Sequence, residues 1–83
     1  MAVRVRVLAF ARLRELLGFG ERELELGAGT TIDELWARLV AGEADVAPLR
    51  ASTRFACNGR LVDGAAPLHD GDEIALMPPI GGG

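Results

Sequence analysis

The chain has 83 residues, about half of them apolar and a quarter charged, with a formal charge of −3. That length supports one domain with a single modest core, and the acidic balance weighs against a nucleic-acid footprint, which needs clustered positive charge. No apolar run approaches the ~20 residues of a membrane span, and no basic-then-apolar leader is visible, because Arg4 and Arg6 alternate with valines. Both absences point to the cytoplasm, with neither nucleic acid nor membrane as a partner.

Val3-Arg4-Val5-Arg6-Val7 alternates with period two, which predicts a half-buried strand with its valines inward. Continuing the count puts Leu8 and Phe10 on the arginine face, as an apolar patch fit for docking. The alternative is a bend near Ala9 that turns Phe10 inward. Leu13, Leu16 and Leu17 fall at helical spacing and Gly18 supplies a stop, so the spacing predicts a helix of about two turns over Ala11 to Leu17. Glu21 to Leu26 alternates again, with Leu24 and Leu26 inward, and Gly27-Ala28-Gly29 ends that strand without the pattern of a phosphate loop.

Thr31-Ile32-Asp33-Glu34 is a capping box, in which the threonine oxygen and Glu34 each satisfy a free backbone N–H. Ile32, Leu35, Trp36, Leu39 and Val40 then recur at amphipathic-helix spacing, ending near Gly42, and Trp36 on that stripe reads as core. Glu43 to Thr53 is weakly patterned, a connection with a turn near Pro48. Phe55-Ala56-Cys57, Asn58-Gly59 and Arg60-Leu61-Val62 spell a hairpin, closed by Asp63-Gly64. Pro67 to Asp72 is turn-rich and feeds a last strand with Ile74 and Leu76 inward and Glu73, Ala75 and Met77 outward. The order of strand, short helix, strand, capped helix, hairpin and strand predicts an α+β chain in which one main helix lies across one small mixed sheet, a β-grasp or ubiquitin-like fold.

The chain closes on Pro78-Pro79-Ile80-Gly81-Gly82-Gly83. Residues 1–80 read as the β-grasp domain and residues 81–83 as a flexible glycine tail. The diproline favours an extended stalk, and three glycines make the thinnest peptide available for insertion into another protein's active site. The competing reading is a frayed terminus.

Conventional catalytic groups are sparse. His69 sits in a turn with no nucleophile placed beside it and reads as a surface histidine. Cys57 can form neither an internal disulfide nor, alone, a zinc or iron–sulfur site; on a strand beside Phe55 it reads as a buried, inert thiol. Asp70, Asp72 and Glu73 lack the spacing of a calcium loop and read as a solvated turn. The remaining candidate is the terminal carboxylate of Gly83. Activated as an acyl-adenylate by another enzyme, it could be attacked by an amine, giving conjugation, or by sulfur, giving a thiocarboxylate. All nine basic residues are arginine, so the N-terminus is the only primary amine and the chain can hardly accept an isopeptide bond from its own copy.

Three stretches together resemble one family. Phe55 to Val62 (Phe-Ala-Cys-Asn-Gly-Arg-Leu-Val), Pro67 to Ala75 with its Asp-Gly-Asp-Glu turn, and the Pro-Pro followed by a terminal diglycine look like the small subunit of molybdopterin synthase, the MoaD-type sulfur carrier. Val7 to Leu16 resembles that family's first strand and helix. The resemblance implies that an E1-like adenylyltransferase activates Gly83 with ATP and Mg, that no cofactor is bound by this chain, and that a thiocarboxylate forms. It implies that the tail, with Gly81 and Gly82, enters the large catalytic subunit of a heterotetramer and passes sulfur to a cyclic pyranopterin, building the dithiolene of molybdenum cofactor. Phe10, Arg14, Leu61, Met77, Pro78 and Pro79 fall at positions that the family uses for the partner and the tail exit. Met77 departs from a more usual aromatic residue there. Carriers for thiamin or tRNA thiolation, a lysine-conjugating modifier and a plain interaction module are the other readings.

Overall fold

The computed structural model describes residues 1–78. Strand β1 (Ala2–Ala9) leads into helix α1 (Ala11–Leu17), strand β2 (Glu21–Gly27) and helix α2 (Ile32–Leu39). A 3₁₀ helix (Ala47–Ser52) then precedes strands β3 (Arg54–Cys57), β4 (Arg60–Val62) and β5 (Glu73–Met77). The five strands form one mixed sheet in the order β2-β1-β5-β3-β4. β1 and β5 pair in parallel at its centre, and the remaining pairs are antiparallel. This is the β-grasp architecture that the element order predicts.

Alternation decides which face each strand buries. Val5, Val7, Ile74, Leu76 and Phe55 point to the same side and meet Ile32, Leu35, Trp36 and Leu39 of α2 in one core. The capping box forms as read: Glu34 N–H donates to Thr31 Oγ1 at 3.2 Å, and Thr31 N–H donates to Glu34 Oε1 at 2.9 Å. Helix α2 ends at Leu39, short of Gly42, with Val40 as its buried cap and Gly42 in the left-handed region at φ 79°. The weakly patterned connection is more ordered than its sequence indicates. Val46 is fully buried beneath it, and Leu49 packs at the core's margin.

Arg50, in that connection, ties three elements together. Its guanidinium lies 4.6 Å from the Phe55 ring centroid and donates from Nε to Asp33 Oδ1 at 2.8 Å. Phe55 in turn meets Trp36 edge-on at 5.9 Å. Asp33 N–H donates to Gly64 O at 2.9 Å, and a Cβ at Gly64 would collide with the Asp33 carboxylate, so this crossing requires glycine. The start of α2 is thereby fixed to the end of the β3–β4 hairpin. Replacing Arg50 by alanine is expected to cost about 1–2 kcal/mol, since a partly exposed ion pair and one cation–π contact are lost together. Urea unfolding checks this, and a midpoint shift with unchanged slope is the expected form.

Candidate functional site on the outer sheet face

The sheet face opposite α2 is divided along the strands. At the end where β5 begins, Arg4 pairs with Glu25 at 3.9 Å, and Arg6 reaches both Glu21 and Glu73 at 3.5 Å. Toward the end where β5 leaves the sheet, the charge thins out. Leu8, Ala75, Ala56 and Leu61 stand in register across four strands. One step further, Arg54 is in register with Met77, and Phe10 N–H donates to Leu76 O at 3.3 Å beside them. An apolar strip thus crosses the outer face directly beneath the point where the tail departs.

Local sequence explains how each of these side chains is displayed. Phe10 closes β1 in extended conformation and is 47% exposed. The chain does bend there, but at Ala11, which takes φ 50°, a left-handed angle that costs an alanine about 1 kcal/mol or more. The bend therefore turns the chain into α1 and leaves Phe10 outward. Four residues on, Arg14 is exposed on α1, and its Nε lies 3.0 Å from where a Gly20 Cβ would stand, so Gly20 leaves room for it. Leu61 is 66% exposed on β4 because Asn58 (φ 52°) and Gly59 (φ 84°) make the two-residue turn that sets the hairpin's register.

Met77 is half-buried rather than fully outward, since β5 is flanked on both sides and its outer residues are crowded by the neighbouring strands. Pro78 is half-buried too, in the wall of a cleft of about 220 Å³ that it shares with Leu13 of α1 and Leu49. Pro79, Gly81, Gly82 and Gly83 lie outside the described residues. Of the other expected contact residues, Met77 ends β5 and Pro78 follows it, Phe10 lies beside Leu76 on one flank, Leu61 stands two strands away on β4, and Arg14 is on α1.

At the other end of β5, the acidic turn departs from its expected solvation. Asp72 is only 8% exposed. Its Oδ2 accepts from His69 N–H at 2.7 Å and its Oδ1 from Asn58 Nδ2 at 2.9 Å. Asn58 Oδ1 accepts from Glu73 N–H at 2.9 Å, so one asparagine side chain clamps the hairpin turn to the start of β5. Burial pushes the Asp72 carboxyl up, but the bonds from His69 N–H, Asn58 and the Cys57 thiol, with the His69 ring nearby, together outweigh it and hold the carboxyl below its ordinary value. The Cys57 thiol is pushed up, first by burial and then by the Asp72 carboxylate and the hydrogen bond to it. Cys57 is half-buried rather than buried, and with its thiolate disfavoured it is a poor nucleophile. His69 is largely exposed, as expected for a surface histidine.

The family model described as the ThiS family matches residues 7–83, through the terminal glycines. The chain belongs to the ThiS family. Within it, this ThiS-family chain is of the MoaD type. It is 35% identical over 83 residues to the molybdopterin synthase sulfur carrier subunit of Chlamydomonas reinhardtii, covering 98% of this chain and all of that one (100%). A solved structure from Pyrococcus furiosus, described as a candidate molybdopterin converting factor subunit 1, superposes with a TM-score of 0.83 at 30% identity, covering 94% of this chain and 99% of that one. A complex of subunits 1 and 2 of the molybdopterin-converting factor from Helicobacter pylori contains a chain similar to this one, with a TM-score of 0.64 at 28% identity and coverage of 98% and 100%.

The Asp72 clamp makes a measurable pH signature. A carboxyl held below its ordinary 3.8 contributes stability that is fully present above that value and is lost as pH falls through the lowered folded pKa. Asp72→Asn, which turns an amide donor toward existing donors, is expected to cost about 1–3 kcal/mol at neutral pH. Unfolding curves of the two proteins should converge only in strong acid; a gap that stays constant with pH would show that the carboxylate charge is not what stabilises the turn.

Proposed function

We propose that this chain works as the sulfur-carrier subunit of molybdopterin synthase, with the carboxylate of Gly83 as its only reacting group. The observation that supports this most strongly is the 35% identity to a molybdopterin synthase sulfur carrier along essentially the whole of both chains. In the proposed cycle, an E1-like adenylyltransferase uses ATP and Mg to convert the Gly83 carboxylate to an acyl-adenylate, releasing pyrophosphate. A sulfur nucleophile displaces AMP, and the thiocarboxylate remains. Its sulfur then attacks a carbon of the cyclic pyranopterin monophosphate and displaces the oxygen substituent of that carbon. Water then cleaves the acyl–sulfur bond, leaving the sulfur on the pterin and returning the carboxylate for another round. The carrier binds no cofactor of its own, and the cycle runs in the cytoplasm.

The fold's part in this is presentation. The large catalytic subunit would cover the apolar strip of Phe10, Leu8, Ala75, Ala56 and Leu61, with Arg14, Met77 and Pro78 near its border. Five residues follow Pro78, and a chain of that length spans roughly 18 Å at most. The partner's catalytic pocket must therefore open within that distance of the docked end of β5. Pro79, Gly81 and Gly82 supply the thread and Gly83 the reacting end.

Docking and chemistry should separate on mutation. Deleting Gly83 is expected to abolish molybdopterin formation by the reconstituted pair while leaving binding to the large subunit within about twofold, because the strip is untouched. Phe10→Asp is expected to weaken binding by about tenfold or more, as a charge is placed in a desolvated contact. Titration of labelled carrier into large subunit reads the first quantity, and product formation from the cyclic precursor reads the second. Full activity without Gly83 would defeat the proposal.

A further inference from the structure

We infer that Arg54 receives a carboxylate side chain, Asp or Glu, from the protein that docks on the outer face, and so sets which partner binds. This rests on the docking reading above and adds a charge requirement to it. Arg54 is exposed on β3, in register with Met77, in the row of the sheet nearest the tail. It differs from the other arginines of this face. Arg4 and Arg6 are matched by Glu25, Glu21 and Glu73. Arg54 has no such partner among the described residues.

The residues beside it account for this. Arg54 and Leu61 share a groove of about 230 Å³ with Arg50, Phe55 and Asp63. Neither of the other charged side chains lining the groove pairs with Arg54. Arg50 is held by Asp33 and stacked on Phe55. Asp63 follows Val62 and, continuing the strand register, stands opposite Arg54, yet its Oδ1 accepts from Ala65 N–H at 2.8 Å to close its own turn. A guanidinium left uncommitted beside exposed Leu61 pairs well with a planar carboxylate, which it can grip with two parallel N–H bonds. The partner therefore carries an acidic residue next to the apolar patch that covers Leu61 and Met77. Such a pair speeds encounter and rejects partners with a basic residue at that place.

Association kinetics with the large molybdopterin synthase subunit of the same organism, measured at low and high salt, test this. Arg54→Glu is expected to slow association about tenfold at low salt, with the deficit shrinking as salt rises. Arg54→Lys should stay within about threefold of the parent, and Arg4→Ala, on the self-paired part of the face, within about twofold. An Asp or Glu→Arg change on the partner should restore binding of Arg54→Glu. Melting temperatures of all variants are read alongside, and Arg54→Gln serves in place of Arg54→Glu if the latter unfolds. Association of Arg54→Glu within twofold of the parent, while Phe10→Asp fails to bind, overturns the charge assignment alone. If Phe10→Asp also binds normally, the docking reading itself falls.

Discussion

The parallel pairing of β1 with β5 is the contact on which the rest of the structure depends. It joins the first and last strands among the described residues, with Val7 opposite Ile74 and Ala9 opposite Leu76, all buried. Everything between must fold as a connection between those two strands: β2 flanks β1 on one side, the β3–β4 hairpin flanks β5 on the other, and α2 closes the inner face. Non-local pairing of this kind is costly to nucleate because a long loop must close first. The buried side chains along both strands offset that cost, and Arg6 N–H to Asp72 O at 2.9 Å and Gly71 N–H to Arg4 O at 2.8 Å secure the register where β5 begins. A central strand is also a rigid one, so whatever follows Met77 departs from a fixed point.

The outer face shows how one sheet holds two kinds of surface. Where β5 starts, arginines and glutamates neutralise one another within the molecule, and such a surface has little to offer a partner. Where β5 ends, small and apolar side chains replace them. The gradient follows from register alone, since Arg6 and Leu8 are neighbours on the same face of β1, as are Glu73 and Ala75 on β5. Under the proposed function, the apolar end of this face would be the docking surface, on the strand that leads in sequence to Gly83.

Much of this was legible in the sequence, because it rests on local rules. Period-two alternation located β1, β2 and β5, the capping box located the start of α2, and Asn58-Gly59 located the hairpin turn. What escaped was set by contacts between residues far apart in the chain. Asp72 reads as one more acid in a polar turn until the hairpin brings Asn58 to it from 14 positions away. Arg50 lies in an unpatterned stretch, and its role depends on Asp33 and Phe55 being folded beneath it. Arg54 stands beside Met77 only because β3 pairs with β5, a placement that no local pattern gives. Met77 is outward by alternation yet half-buried, because alternation gives the face of a side chain but not the crowding of its neighbours.

On the proposed function, the folded domain serves to present one carboxylate, that of Gly83, for activation. The most direct measurement is the intact mass of the full chain after incubation with its activating enzyme, ATP and a sulfur donor, followed by fragmentation to locate any change. A mass increase equal to replacing one oxygen by sulfur, confined to Gly83, is the predicted result. An unchanged mass would contradict the claim, as would covalent adducts through Gly83 to lysines of other proteins with no sulfur-bearing form of the chain.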